Sequence, residues 1–207
     1  MTDKFCIPNE YRINANPEHY IDLDAKDEWQ KEVYIYAKEF AENNSLTNIV
    51  DVGCGSGYKL IKYLGNLNTT GIETEPCFSF LKIRYPERKW LNSGESEVSF
   101  KSYNIKTDIV ICSDVIEHIV DPNNLVDFLL SIDTKYYILS TPCRDILVKH
   151  PFNYNPLGPP KNKCHVREWT MGEFKKYISE KFTIVLSQYA KDQRECQFHL
   201  LIKKVNA

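Results

Sequence analysis

The sequence has no run of about 18 apolar residues, the minimum length of a membrane-spanning helix. Its N-terminus, Met1-Thr-Asp-Lys-Phe-Cys, also lacks the apolar core of a secretory signal peptide. These two absences argue against insertion into a membrane and against secretion. We therefore expect a cytoplasmic protein with no membrane partner.

The chain also lacks the cysteine spacing and the blocks of positive charge that mark two other classes of protein. None of its seven cysteines forms a Cys-x-x-Cys pair, which argues against a zinc site or a disulfide framework and predicts reduced thiols. With a net charge of −2 and no basic block, a broad nucleic-acid interface is not expected either. A small-molecule partner is favoured, and no nucleic acid.

What the chain does contain is the composition of a globular protein. Of its 207 residues, 43% are hydrophobic and 13% are aromatic, which is enough for a substantial core. We predict a single domain over residues 1–207.

A glycine-rich segment after an apolar run is the most informative part of the sequence. Residues 48–57 read Asn-Ile-Val-Asp-Val-Gly-Cys-Gly-Ser-Gly, and the residues from Tyr58 to Leu64 follow with helical periodicity. This order predicts a strand, a tight turn and a helix whose N-terminus holds a ligand against bare backbone. The dinucleotide fingerprint would be Gly-x-Gly-x-x-Gly, but Tyr58 stands in its third glycine position. An adenosine-containing ligand other than NAD is therefore favoured.

An acidic residue, Glu73, ends the next predicted strand, where a carboxylate can accept both hydroxyl hydrogens of a ribose. Together the two segments resemble the class I S-adenosylmethionine (SAM) methyltransferases. The segment from Asp51 to Gly57 resembles their first motif, and Glu73 resembles their ribose-binding acid. The resemblance implies SAM as the cofactor, S-adenosylhomocysteine as the product, and these cofactor contacts: Asp51, Gly53, Cys54, Gly55, Gly57 and Glu73.

A second segment carries the same resemblance. The residues from Thr107 to Ser113 are typical of a buried strand, and they lead directly into Asp114-Val-Ile-Glu-His118. In the family this position lines the methionine side of the cofactor, which implies Ser113 and Asp114 as cofactor contacts. If a helix starts at Asp114, its carboxylate shares a face with His118 and orients the imidazole, so both are catalytic candidates. The alternative is that Asp114 and Glu117 stabilise the helix N-terminus while His118 packs beneath it.

The segment before the glycine turn is predicted to form a cap and a helix. Residues 28–41 place apolar side chains at helical spacing, and residues 11–20 are irregular and rich in aromatic and polar groups. The aromatic residues either pack in the core or close over the ligand as a lid. If this segment is a lid, Trp29 and Gln30 contact the cofactor. Tyr11 and Tyr20 then contact the substrate.

Three polar residues follow the predicted third strand: Asn92, Ser93 and Glu95. In the family this position commonly reads the adenine amine, which implies Ser93 as a further cofactor contact. The alternative is an ordinary turn that contains Gly94.

The alternation of strands and helices predicts an α/β fold, a Rossmann-like, doubly wound sheet of seven mostly parallel strands with a terminal antiparallel strand. We expect four parts: an N-terminal cap and helix (1–45), a cofactor-binding core (46–142), an acceptor-binding excursion (143–169), and a terminal helix and strands (170–207). The excursion is rich in proline, and irregular loops of this length in a compact domain are usually functional.

A narrower resemblance concerns small bacterial methyltransferases that accompany surface-polysaccharide (capsule) genes. It rests on Asn16-Pro17, Trp29-Gln30, Ser140-Thr-Pro142, and Gly158-Pro-Pro with His165-Val-Arg-Glu-Trp169. It implies O-methylation of a sugar, a nucleotide sugar or a phosphoryl-modified sugar in capsule biosynthesis.

Methyl transfer to a hydroxyl group needs a base, and histidine is suited to this role near neutral pH. His165, at the end of the excursion, is the first candidate and His118 the second, unless His165 only marks a helix entry. No metal is expected, because His165-x-x-Glu168 is not a ligand pair by spacing alone.

The excursion is also biased towards positive charge. Between Arg144 and Glu168 it has five basic residues and two acidic ones. This bias favours an anionic acceptor, such as a sugar nucleotide, held by Arg144 or Arg167 as a bidentate clamp. The alternative is a solvated loop.

Two other functions remain as alternatives. A nicotinamide-dependent reductase or epimerase is disfavoured by Tyr58. A non-enzymatic SAM-binding partner is compatible with the glycine turn, Glu73 and Asp114, which indicate binding but not turnover. The oligomeric state is not predicted.

Overall fold

The computed structural model describes residues 4–94, 103–149, 155–190 and 196–204. The strands of its single sheet are β1 (Asn48–Val52), β2 (Asn68–Glu73), β3 (Lys89–Asn92), β4 (Ile109–Ser113), β5 (Tyr136–Pro142), β6 (Phe182–Tyr189) and β7 (Cys196–Lys203). Their order across the seven-stranded sheet is β3-β2-β1-β4-β5-β7-β6. The strands from β3 to β5 pair in parallel, whereas β7 is antiparallel to both β5 and β6. The predicted fold class is therefore confirmed.

The helices of the described residues are α1 (Lys31–Asn43), α2 (Tyr58–Leu64), α3 (Cys77–Arg84), α4 (Pro122–Ser131), α5 (Arg144–Leu147) and α6 (Met171–Ile178). Two short 3₁₀ helices cover Lys4–Cys6 and Ile116–His118. Every helix in this part of the chain is too short or too polar to cross a lipid bilayer.

The sheet is covered on both faces, as its central strand shows. All five residues of β4 are buried, as expected for a strand with parallel neighbours on both sides. Successive side chains of a strand point to opposite faces. Accordingly, Val110 and Cys112 pack in one hydrophobic cluster, while Ile109 and Ile111 pack in the other.

The strand order reverses at β1, which lies between β2 and β4. In open α/β sheets, ligands bind outside the carboxyl ends of the strands at such a reversal. The glycine turn after β1, the acid that ends β2 and the segment after β4 therefore meet at one edge of the sheet.

The structure differs from the sequence interpretation at three places. Helix α1 begins at Lys31 rather than Glu28, which leaves Trp29 outside the helix and 47% exposed. No helix begins at Asp114, because its backbone is left-handed with φ of +63°, and only one 3₁₀ turn follows. The excursion is not wholly irregular, since it contains the short helix α5.

Candidate active site

A cavity of about 710 Å³ opens at the carboxyl ends of the central strands, a size typical of small-molecule sites. Its walls come from the strand ends, the N-terminal segment and the excursion. Among the predicted site residues it brings together Tyr20, Trp29, Gln30, Gly53, Cys54, Gly55, Glu73, Ser93, Ser113, Asp114, His118 and His165. These residues are distant in sequence, so the site exists only in the folded chain.

The turn after β1 presents bare backbone to the cavity. Gly53 and Gly55 have φ of +75° and +55°, a region that side chains other than glycine rarely adopt. A Cβ atom on Gly53 would lie 2.3 Å from Cγ2 of Val115, so the segment after β4 packs directly against this turn. Substitution of Gly53 would therefore disturb both loops.

Glu73 closes the same turn from the end of β2. Its Oε2 accepts the N–H of Gly55 at 2.7 Å, and its Oε1 accepts the N–H of Thr74 at 2.8 Å. Burial raises the pKa of Glu73, and these two hydrogen bonds oppose the rise. Oε1 also accepts the hydroxyl hydrogen of Thr74 at 3.2 Å. The carboxylate is therefore held in a fixed orientation at the cavity wall, and the second lone pair of Oε2 can accept a hydroxyl hydrogen.

Gln30 links the N-terminal segment to the strand ends. It is 4% exposed, and its Oε1 accepts the hydroxyl hydrogens of Ser113, at 3.1 Å, and of Ser140. Nearby, the ring of Tyr20 stacks on the imidazole of His118, with 5.6 Å between the ring centroids. The N-terminal segment thus forms one side of the cavity.

Two residues of the glycine-rich segment that were predicted to contact the cofactor do not line the cavity. Asp51 is fully buried behind the turn, where its Oδ2 accepts the hydroxyl hydrogen of Tyr34 at 3.1 Å. This burial raises the pKa of Asp51 to about 7. Gly57 precedes α2, and a Cβ there would meet Leu81 and Trp90. Asp51 and Gly57 thus support the turn from behind, and their direct contact with the cofactor stays a prediction.

The two candidate histidines lie together, with 4.9 Å between their ring centroids. His165 donates from Nδ1 to Oε1 of Glu168 at 2.7 Å, and its Nε2 accepts from the Asn162 amide at 3.0 Å. Burial, and then the charge of His118, lower the pKa of His165 to about 4. His118 donates from Nδ1 to the carbonyl oxygen of Cys164 at 2.9 Å. It is this carbonyl, rather than the predicted Asp114 carboxylate, that orients the His118 ring.

Glu117 is a buried carboxylate that the sequence interpretation treated only as a helix-terminus residue. Its side chain is 0% exposed beside the histidines, and its Oε2 accepts the hydroxyl hydrogen of Thr141 at 3.0 Å. Burial first, and then the neighbouring Asp114 carboxyl, raise the pKa of Glu117 well above its usual range. The one signal for it in the sequence was a second acid next to His118 after a buried strand.

The predicted anion clamp is wrong. Arg144 donates to the carbonyl of Glu168 at 3.0 Å and to the carboxylate of Glu173 at 2.5 Å. Arg167 donates to the carbonyls of Ile119 and Val120 at 2.8 and 2.7 Å. Both guanidinium groups are buried, and neither lines the cavity.

Tyr11 is not a cavity residue either. It is 7% exposed, and its hydroxyl oxygen accepts the N–H of Glu168 at 3.1 Å. Of the two tyrosines predicted to contact substrate, only Tyr20 lines the cavity. Tyr11 instead anchors the backbone that carries His165.

Of the three polar residues after β3, Ser93 lines the cavity and is 4% exposed. Asn92 does not line the cavity, and its side-chain amide donates to the Glu75 carboxylate at 3.2 Å. Glu95 lies outside the described residues.

Four further residues escaped the sequence interpretation. Asp22 accepts the N–H of Ser56 with its Oδ2 at 3.3 Å, so its carboxylate lies on the glycine turn. No motif marked it. Asn162, Cys164 and Glu168 position the two histidines, and their closeness to His165 in the sequence was the available signal.

A family model described as a methyltransferase domain matches residues 24–180. No curated protein matches the chain. Solved structures share its fold at low sequence identity.

Three of these structures show the range of similar proteins. The small RNA methyltransferase HEN1 superposes with a TM-score of 0.65 at 20% identity over 92% of this chain, which spans only 27% of that protein. The magnesium protoporphyrin IX methyltransferase ChlM from Synechocystis PCC 6803, solved with bound S-adenosylhomocysteine, has a TM-score of 0.63 at 15% identity, with 84% of this chain and 83% of that one covered. An S-adenosylmethionine-dependent methyltransferase from Clostridium acetobutylicum ATCC 824 has a TM-score of 0.61 at 16% identity, with 86% and 92% covered.

Proposed function

Because this chain belongs to the methyltransferase domain family, we propose that it transfers the methyl group of SAM to a hydroxyl oxygen of a small, carbohydrate-type acceptor. The single observation that carries this proposal is one cavity that joins the glycine turn and Glu73 to a pair of adjacent histidines, of which His165 is buried and His118 is half-buried. The first half suits the adenosine-containing cofactor. The second half suits proton removal from an acceptor.

SAM is the cofactor expected for this family, and the residues present fit it. The backbone of Gly53 and Gly55 lets a ligand approach closely, and the oriented carboxylate of Glu73 suits a ribose. Ser113 and Gln30 line the wall near the ends of β4 and β5. We assign cofactor binding to these residues, with Ser93 and Trp29 at the rim.

When bound, SAM supplies a methyl group that is already activated by its sulfonium. Most of the acceleration then comes from holding the acceptor oxygen in line with that methyl group. An acceptor hydroxyl must also lose its proton. His118 and His165 both line the cavity, which supports them as the groups that remove this proton. The N–H that His118 donates from Nδ1 leaves its Nε2 lone pair available, whereas Nε2 of His165 accepts the amide N–H of Asn162.

The acceptor class is the finer part of this proposal. With Arg144 and Arg167 buried elsewhere, the support for an anionic acceptor shrinks to Lys161, whose side chain lines the cavity. The names of the similar structures mention small RNA and magnesium protoporphyrin IX, so they do not favour capsule precursors. We retain a carbohydrate hydroxyl as the first class to test.

The cofactor assignment is tested by calorimetric titration with S-adenosylhomocysteine and, separately, with NADH. Wild-type protein should bind only the first ligand. Glu73→Gln should weaken this binding at least about tenfold, because a ribose hydroxyl then meets an amide N–H instead of an acceptor. Glu87→Gln, whose wild-type side chain is 67% exposed, is the matched control and should bind like wild type. Folded wild-type protein that binds no S-adenosylhomocysteine would end the methyltransferase proposal.

The acceptor assignment needs a separate screen for transfer of labelled methyl groups from SAM. The panel contains sugars, sugar nucleotides, phosphorylated sugars and a short RNA. Methylation of a sugar hydroxyl, lost in His165→Asn but kept in Glu87→Gln, is the expected result. Methylation of RNA alone, or of a nitrogen atom, would contradict the proposed acceptor.

A further inference from the structure

We propose that Glu117, His118 and His165 bind one divalent first-row transition-metal ion at the acceptor end of the cavity. One oxygen or nitrogen atom from each side chain lies within 4.8 Å of the others. Ligands on opposite sides of such an ion are about 4.2 Å apart, because bonds to oxygen and nitrogen are about 2.1 Å long. Small side-chain rotations therefore reach coordination distance. The proposal replaces the expectation of no metal, which considered only the spacing of His165 and Glu168.

The backbone holds the two parts of this cluster together. The carbonyl oxygen of Glu117 accepts the N–H of Val166 at 2.8 Å, so the turn after β4 is bonded directly to the segment that carries His165. The guanidinium of Arg167 adds two more bonds to the carbonyls of Ile119 and Val120. The site is therefore built by the fold rather than by a chance meeting of surface side chains.

Both histidines have the hydrogen bonds of metal ligands. A ligating imidazole usually donates its other N–H to a carbonyl or a carboxylate, which fixes the ring and raises the basicity of the ligating nitrogen. His118 donates from Nδ1 to a carbonyl, and His165 donates from Nδ1 to the Glu168 carboxylate. Their Nε2 atoms are left with lone pairs, and at His165 a cation would replace the amide N–H of Asn162.

The carboxylates in this cluster lack the partners that burial requires. Among the described residues, Glu117 Oε1 and Asp114 Oδ1 are buried and have no hydrogen-bond partner. Oε1 lies 3.9 Å from Nε2 of His118, while Thr141 holds Oε2 in place. A buried pair of carboxyl groups must be compensated by a proton or by a cation, and a divalent ion bound here would take the place of the proton between Glu117 and Asp114. The two buried oxygens thus mark a position that a cation can occupy.

The donor set favours one class of ion. Imidazole nitrogens suit zinc, copper, iron and nickel, whereas all-oxygen sites suit magnesium and calcium. Two imidazoles with one or two carboxylates therefore favour a first-row transition-metal ion over Mg²⁺, and Mn²⁺ and Co²⁺ are the members of this class with a convenient spectroscopic signal.

The chemical role of the ion rests on the proposed function. With both histidines bound to the ion, neither would act as the base, and an acceptor hydroxyl bound at an open coordination position would instead lose its proton to solvent at a lower pH. The resulting oxygen anion would attack the methyl carbon, so that the new C–O bond forms as the C–S bond of the sulfonium breaks. The products are the methyl ether, S-adenosylhomocysteine and a proton.

The test uses the full chain, freed of metal with a chelator. Titration with Mn²⁺ is followed by the paramagnetic resonance of the free ion, and titration with Co²⁺ by visible absorption. We expect one ion per chain and Mg²⁺ affinity at least about tenfold weaker than Mn²⁺ affinity. Glu117→Gln and His118→Asn should each weaken Mn²⁺ binding at least about tenfold.

Asp127→Asn is the matched control, because the wild-type carboxylate is 67% exposed and remote from the cavity. It should bind Mn²⁺ like wild type. Binding of S-adenosylhomocysteine shows that each variant is folded. The proposal is overturned if folded wild-type protein binds neither ion, or if both site variants keep wild-type affinity. A chain that binds one ion but methylates no hydroxyl keeps the metal site and contradicts only the proposed function.

Discussion

Asp114, which lines the cavity, has a strained backbone conformation. Its φ of +63° costs a residue with a Cβ about 1–2 kcal/mol, and its N–H is fixed to the carbonyl of Ser140 at 3.2 Å. We expect Asp114→Gly to be about 1 kcal/mol more stable than Asp114→Ala, because only glycine relieves this strain. Urea unfolding of the two variants measures the difference. Equal free energies of unfolding would show that the turn is unstrained.

His199 makes the stability of the fold sensitive to acid. It is buried, with Nδ1 2.8 Å from the Ser187 hydroxyl, and burial followed by the charge of Lys175 lowers its pKa from 6.5 to about 3. Between these values the unfolded chain binds more protons than the folded chain, so stability falls as the pH falls. At pH 5 the loss is about 2 kcal/mol.

The matched variant for this prediction is His199→Gln, which cannot be protonated. From pH 7 to pH 5, wild-type protein should lose about 2 kcal/mol more unfolding free energy than the variant. Urea unfolding at both pH values measures this, and all other titrating groups contribute equally to the two proteins. Parallel pH dependences would show that His199 is already accessible to protons in the fold.

Which charged side chains face the cavity could be predicted only in part. His118 and His165 follow recognisable segments, so sequence patterns found them. Arg144 and Arg167 were misassigned because a count of charges does not show which carbonyls and carboxylates a buried guanidinium meets. Glu117 was missed because burial creates its unusual chemistry, and burial depends on Thr141 and on a segment about fifty residues away in the chain.

Secondary structure followed the hydrophobic periodicity, and the errors occurred where tertiary contacts decide. The central strand β4 is a nearly uninterrupted apolar run, which sequence patterns recognise. No α-helix starts at Asp114, because its left-handed backbone is bonded across to Ser140, and the Glu117 carbonyl is bonded to Val166, so that only a 3₁₀ turn forms. Helix α6, by contrast, has a local start signal, since Thr170 is its N-cap and forms a complete capping box with Glu173.

Arg167 links the excursion to the turn after β4, because its planar guanidinium donates to the carbonyls of Ile119 and Val120 at the same time. We expect Arg167→Lys to lower the free energy of unfolding by about 1–3 kcal/mol, because an ammonium cannot reproduce both hydrogen bonds. It should also weaken Mn²⁺ binding, although Arg167 touches no ligand atom. Urea unfolding and Mn²⁺ titration measure the two effects.

Arg84→Lys, at an exposed position in α3, is the control for this substitution. It should change neither quantity. If Arg167→Lys destabilised the protein but kept full Mn²⁺ affinity, the Arg167 hydrogen bonds would stabilise the fold without positioning the metal ligands.

The architecture of the whole molecule was predictable because each strand and helix carries its own periodic pattern. The pairing of the N-terminal segment with the excursion was not. Arg12, Asn14 and Glu18 donate their backbone N–H groups to Leu157, Val166 and Lys163 at 2.8, 2.9 and 3.0 Å. These bonds join two irregular segments that have no hydrophobic periodicity, so sequence patterns do not indicate the pairing. The pairing brings the ring of Tyr20 onto the imidazole of His118. The two stretches form a roof over the cavity, defined here as residues 12–30 and 155–166.

Ligand binding should stabilise this roof. Tyr20, Trp29 and Gln30 line the same cavity as the glycine turn, so a bound ligand connects the roof to the sheet. We expect saturating S-adenosylhomocysteine to slow amide hydrogen exchange at least about tenfold in residues 18–30, because local opening would then require ligand release. Mass spectrometry of peptides measures the change, with β6 as an internal control that should not respond. Glu73→Gln at the same ligand concentration should show little protection, since it binds weakly. Protection confined to the glycine turn would mean that the N-terminal segment covers the cavity without contacting the cofactor.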